Sequence, residues 1–182
     1  MFNIRTIVLL LVCVVACTAV HAQTGGATAP AAPLLSPPAI ATAMLNGTHI
    51  EIKYSTPSMR GRVIMGGLVP YDKVWRTGAN PATTFKTDAD LMIGGVAVPA
   101  GTYTLYTWPT ATVWKLIINK QTGQWGTVYN ADQDFARVEM MKATLPAPQE
   151  VMSISFEHIR GNKAELHVRW ETTDVWVPVV AK

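Results

Sequence analysis

Beyond position 17 the chain contains no cysteine, because its two, Cys13 and Cys17, both lie near the N terminus. If that region is removed on export, the rest of the protein forms no disulfide and offers no thiolate to a substrate or a metal. Charge is also sparse, with Asp, Glu, Lys and Arg making up 15% of residues. Setting Arg5 aside from the 15 basic residues leaves 14 against 12 acidic ones, a balance too even to point to nucleic acid. A Gly-x-Ser-x-Gly elbow, a P-loop and a dinucleotide fingerprint are all missing, which removes the chemistries those motifs announce. Past the N-terminal apolar run no long segment keeps a 3.6-residue apolar period, so no amphipathic helix is expected.

That apolar run, Ile7 to Val20, follows Arg5 and ends in Val20-His21-Ala22, with small residues at the positions that determine cleavage. The pattern predicts a signal peptide over residues 1–22, a mature protein starting at Gln23, and an exported, periplasmic or extracellular location. The run is short for a membrane span. Val14-Val15-Ala16-Cys17 resembles a bacterial lipobox, so a lipoprotein anchored at Cys17 is the alternative. Residues 23–38 are mostly Ala, Gly, Thr and Pro without charge, a composition that reads as a flexible tether.

From residue 39 the apolar period becomes two. Ile50, Ile52 and Tyr54 alternate with polar neighbours, and Asn46-Gly47 before them signals a hairpin. Leu91 and Ile93 face Val96 and Val98 across Gly94-Gly95. Thr102–Trp108 and Val113–Asn119 read as neighbouring strands. Met152, Ile154 and Phe156 match Leu166, Val168 and Trp170 in phase if an odd loop, three residues around Gly161, joins them. Pro178 predicts a sheet edge for the last strand, Asp174 to Val180. The chain therefore reads as all-β: one antiparallel β-sandwich over 39–182, jelly-roll-like or a flattened barrel.

One connection departs from this regularity. Tyr54 to Asn80 is crowded with glycine, proline and arginine, and it is longer than joining two strands requires. Arg60-Gly61-Arg62 and Gly66-Gly67 bring backbone amides beside guanidinium groups, an arrangement that holds carboxylate, phosphate or sulfate. The competing reading is that these arginines brace the loop through its own carbonyls. In Trp75-Arg76 the indole is expected to pin the loop inward, leaving Arg76, ahead of Gly78 and Asn80, to find a carbonyl network or a ligand anion. Tyr71 lies within the same loop. Trp125 and Tyr129 form an aromatic pair suited either to a sugar face or to capping the core.

Histidines carry little signal. His49 and His167 fall on polar phases, His158 on an apolar phase where a core histidine is expected, and no spacing suggests a metal pair. Asp132 and Asp134 lack the glycine and downstream acid of a calcium loop and read as turn residues. Neither metal nor cofactor is expected.

Several segments together resemble the exported bacterial family known as domain of unknown function 2911. They are Ser58-Met59-Arg60-Gly61-Arg62, Gly66-Gly67-Leu68-Val69-Pro70-Tyr71, Val74-Trp75-Arg76-Thr77-Gly78-Ala79-Asn80, Pro99-Ala100-Gly101-Thr102-Tyr103 and Asn119-Lys120 with Gln124-Trp125-Gly126. The resemblance spans Ser36 to the C terminus and implies a secreted, single-domain, β-rich protein without an assigned reaction. An acidic residue commonly follows the Trp-Arg-Thr-Gly-Ala-Asn motif in that family, where this chain has Pro81.

Three functions follow as expectations. The first is a binding module holding a small anionic or carbohydrate ligand through Arg60, Arg62, Tyr71, Trp75, Arg76, Asn80, Trp125 and Tyr129. The second is a hydrolase or isomerase in which Arg76 stabilises negative charge and Tyr71, His158 or Asp72 moves a proton. The third is a structural envelope protein whose long loop only clamps strands.

Overall fold

The computed structural model of the protein describes residues 34–182; the expected leader, with its cleavage and lipidation positions, and most of the tether lie outside them. Among the described residues nine strands run in chain order: β1 (Pro38–Leu45), β2 (Thr48–Ser55), β3 (Thr83–Thr87), β4 (Leu91–Ile93), β5 (Val96–Val98), β6 (Gly101–Pro109), β7 (Trp114–Asn119), β8 (Asp134–Arg160) and β9 (Lys163–Ala181). A single 3-10 turn, Ala131–Gln133, precedes β8. All strand pairings are antiparallel, in the order β1-β2-β3-β6-β7-β8-β9-β4-β5. The all-β class expected from the two-residue period is the one found. β1 and β5 are the free ends of this order, so the sheet is not a closed barrel.

The sheet covers its own apolar face because β8 and β9 are long and bent. β8 pairs with β7 through Met140 and with β9 from Met141 onward. The β8–β9 ribbon breaks register around Gln149, where Glu171 takes a φ of 53°. Beyond that bend the ribbon returns against itself: Asn162 Nδ2 donates to the Ala181 carbonyl, and His167 meets Asp174. Tyr54 on β2 reaches the far half of β8, its hydroxyl accepting from the Ile154 amide at 3.0 Å. Between these layers Phe85, Leu105, Leu116, Met152, Leu166, Val177 and the indoles of Trp114 and Trp170 are all but sealed from water. Each such side chain contributes about 1.5–3 kcal/mol relative to exposure.

The hairpin turns are where glycine and asparagine place them. Asn46 and Gly47 have φ of 46° and 85°, and Gly94 and Gly95 have 52° and 85°, the left-handed pairs that two-residue turns need. Three expectations are corrected. Gly161-Asn162 forms a two-residue turn, not three, because Arg160 pairs with Lys163. The odd residue is absorbed as a bulge between Glu157 and Arg160, where His158 has a φ of 49°. That bulge also turns His158 outward, its side chain 66% exposed, so it is not a core histidine. Nor is the last strand a plain edge. β9 pairs with β8 up to Trp176 and with β4 from Val179, and Pro178 stands in the gap, its carbonyl accepting from Gly94 at 2.9 Å.

Candidate functional site

The connection between β2 and β3 is stitched to the sheet along its length. Ser58 bridges to Val151, Trp75 to Thr107 and Pro81 to Trp125. The Glu171 carboxylate accepts from the amides of Ile64 and Met65, so the bend in β9 holds the loop's apex. Trp75 is the anchor expected of it. Its ring stacks on Trp170 at 5.9 Å and meets Trp114 edge-on at 6.4 Å. Trp75 and Thr107 also exchange both backbone hydrogen bonds, at 2.8 and 2.9 Å. An indole held by two other rings, on a backbone pinned to Thr107, fixes where the next residue, Arg76, can point.

Thr77, after Arg76, adopts a φ of 52° and Asn80 one of 59°. A β-branched residue in the left-handed region is strained by about 1–3 kcal/mol and persists only where its surroundings hold it. Here Thr83 Oγ1 donates to the Thr77 carbonyl at 2.9 Å, and the Thr77 and Thr107 hydroxyls lie 3.1 Å apart, all buried. The wound segment from Arg76 to Asn80 is thereby set beside the start of the described chain, with Asn80 Nδ2 donating to the Ser36 carbonyl at 3.3 Å.

Arg60, Arg62, Arg76, Trp75 and Asn80 line one cleft of about 320 Å³, together with Leu35, Ser36 and Trp170. No carboxylate lines it, and among the described residues none of the three guanidinium groups forms an ion pair. Their own commitments differ. Arg62 is a brace, donating from Nε to the Met59 carbonyl at 2.9 Å and from Nη2 to Ser58 at 2.7 Å. Arg60 uses Nη2 on the Leu35 carbonyl, while its amide donates to Glu150 Oε1 at 2.9 Å. Arg76 is the least engaged. Only its Nε has a partner among the described residues, the Gly78 carbonyl at 3.3 Å, which leaves both terminal nitrogens to bind something else.

The other expected residues lie apart. Tyr71 packs over Gly66, where an added Cβ would come 2.9 Å from its ring. Tyr129 lines a second cleft of about 270 Å³, and Trp75 and Arg76 border both. There its ring meets Tyr106 edge-on at 5.0 Å and its hydroxyl donates to Asp134 Oδ2 at 2.6 Å. Burial first, and then the Asp134 carboxylate, push the Tyr129 hydroxyl up to about 12. Asp134 is more than a turn residue, since it also accepts from Arg137 and Asn119. Trp125 is 55% exposed and lines neither cleft. Trp170, Ser36 and Gly126 were not anticipated, the first having read as strand alternation, the second as tether and the third only as part of a motif.

The family described as Protein of unknown function (DUF2911) matches residues 36–179. The chain belongs to that family. No curated protein and no solved structure matches it. The DUF2911 span takes in the cleft from Ser36 to Trp170, leaving only Leu35 outside. Because the DUF2911 description assigns no activity, the functional reading rests on this protein's geometry.

Proposed function

We propose that this protein is an exported binding module whose arginine cleft takes a small organic anion, a uronic acid or comparable carboxylate carried on a partly apolar body. One observation carries the reading: three guanidinium groups line a cleft that has no acidic wall, and the terminal nitrogens of Arg76 have no partner among the described residues. Gathering like charges without a counter-ion is unfavourable, and an anion relieves it through charge-assisted hydrogen bonds. Trp75, Leu35 and Leu68 supply apolar lining over the buried Trp170, and Asn80 a polar edge. A neutral sugar is the weaker candidate, because Trp125 and Tyr129, the rings suited to stack on one, lie elsewhere. The enzyme reading finds less support, since Tyr71, Asp72 and His158, its proton carriers, do not line the cleft.

The test is a thermal-shift screen of the purified protein with a uronic acid, a dicarboxylate, inorganic phosphate and neutral monosaccharides. Stabilisation by one or more of the anions and none by the neutral sugars is expected. A melting temperature unmoved by every anion would leave the loop as a strand clamp.

A further inference from the structure

The β8–β9 ribbon carries a second polar cluster that shares no residue with the arginine cleft. Glu165 Oε2 lies 2.7 Å from His158 Nδ1 and 3.2 Å from His167 Nε2, and the three atoms all fall within 4.8 Å of one another. A tetrahedral zinc ion with bonds of about 2.0–2.2 Å sets its ligand atoms roughly 3.3 Å apart, so small side-chain adjustments would admit one. The far side of the cluster is also built. His167 Nδ1 lies 2.8 Å from Asp174 Oδ1, and Asp174 Oδ2 accepts from Arg169 Nε at 2.8 Å. The His167 ring stacks on Trp176 at 5.4 Å and 12°. His167 and Asp174 are sealed, with side chains 5% and 9% exposed, whereas His158 opens to solvent.

This order is that of a carboxylate–histidine–metal relay, in which the buried acid fixes the imidazole's tautomer and orientation. His167 Nδ1 faces both Asp174 Oδ1 and Arg169 Nη2, the latter at 3.2 Å; in the tautomer that gives the Nδ1 proton to Asp174, the lone pair of Nε2 is aimed at a carboxylate oxygen 3.2 Å away. Two acceptors at that distance require a cation between them, a metal ion or a proton. Charge does not choose between them, since Glu157, Glu165 and Asp174 stand beside the Arg169 guanidinium that two of them share, and Arg160 and Lys163 line the cleft onto which the cluster opens. The ligand set and its geometry point to the metal. The left-handed bulge at His158 adds a second sign, because it is the local departure from strand geometry that lays this ring over Glu165.

We propose that His158, Glu165 and His167 bind a zinc-type divalent ion, with Asp174 as the positioning residue. Two imidazoles and one carboxylate suit zinc and its transition-metal neighbours, not magnesium or calcium. Three protein ligands leave a fourth position for water or an anion, and His158 and Glu165 both line an open cleft of about 370 Å³.

Calorimetric titration of the metal-stripped protein with zinc chloride decides the matter. One saturable site is expected, unaffected by magnesium in excess and accompanied by a rise in melting temperature. His158→Ala, at an exposed position that leaves the core untouched, removes that site, while His49→Ala keeps it. Asp174→Asn weakens affinity about 10- to 100-fold. No saturable zinc binding, or wild-type affinity in His158→Ala, would overturn the assignment and leave a proton-bridged network in its place.

Discussion

Gly126 lies against Arg76 so closely that a Cβ at position 126 would sit 2.4 Å from Arg76 Cδ and 2.7 Å from the Asn80 carbonyl oxygen. Its amide donates to that same carbonyl at 3.0 Å. A residue without a side chain, about fifty positions along the chain, therefore sets where the cleft's freest guanidinium rests. The arginine's methylenes can give way, but the Asn80 backbone cannot do so without moving the wound segment. Gly126→Ala is expected to lower stability by about 1–3 kcal/mol, as overpacking does, and to weaken anion binding. Urea unfolding and a ligand titration on the same variant check both. Unchanged binding would show that the cleft does not depend on this contact.

Trp75 ties the loop to the core through Trp114 and Trp170. Trp75→Ala is expected to destabilise by about 3 kcal/mol, the low end for an aromatic truncation because the ring is only partly buried. Trp75→Phe should recover much of that loss. Equilibrium denaturation measures each; a loss within about 0.5 kcal/mol for the alanine variant, the range of ordinary surface changes, would mean the stack anchors nothing.

Alkaline pH probes the second cleft. Burial, ahead of the Asp134 carboxylate, pushes the Tyr129 hydroxyl up from its ordinary 10.0 to about 12, and burial is also the first cause that raises Tyr106. A raised pKa favours the protonated, neutral phenol, so its stabilisation is full below the unfolded value. It is lost as pH rises from about 10 through about 12. Denaturation midpoints should fall across that window, and the phenolate absorbance of the native protein should develop late. Asp134→Asn removes one raising influence and should bring the native Tyr129 transition to lower pH; a transition that does not move would detach Tyr129 from Asp134.

Strand positions were legible because burial on one face imposes a two-residue period, and the Asn-Gly and Gly-Gly pairs mark turns that only left-handed residues close. What escaped was set by non-local geometry. His158 looked like a core residue since nothing in the pattern announces a bulge, and once the ribbon slips by one residue the side chain changes face. His167 looked solvent-facing because alternation shows two faces but not that the ribbon folds back and buries His167 and Asp174 on the polar one. The arginine loop stood out by composition. Its convergence with Trp170 and Gly126 did not, since those contacts cross 95 and 50 positions of chain and leave no local signal.

The binding account rests most heavily on Arg76. Its most direct test is an isothermal titration of the stabilising anion into wild type, Arg76→Ala and Arg76→Lys, with melting temperatures recorded for each. The account predicts that Arg76→Ala loses about 1.5–3 kcal/mol of binding, roughly 10- to 150-fold, while the unliganded protein melts nearly where wild type does. Lysine should restore only part of the affinity, as a single ammonium lacks the planar fork. Unchanged affinity in Arg76→Ala, or a large fall in the melting temperature of the free protein, would contradict it and make this arginine a brace.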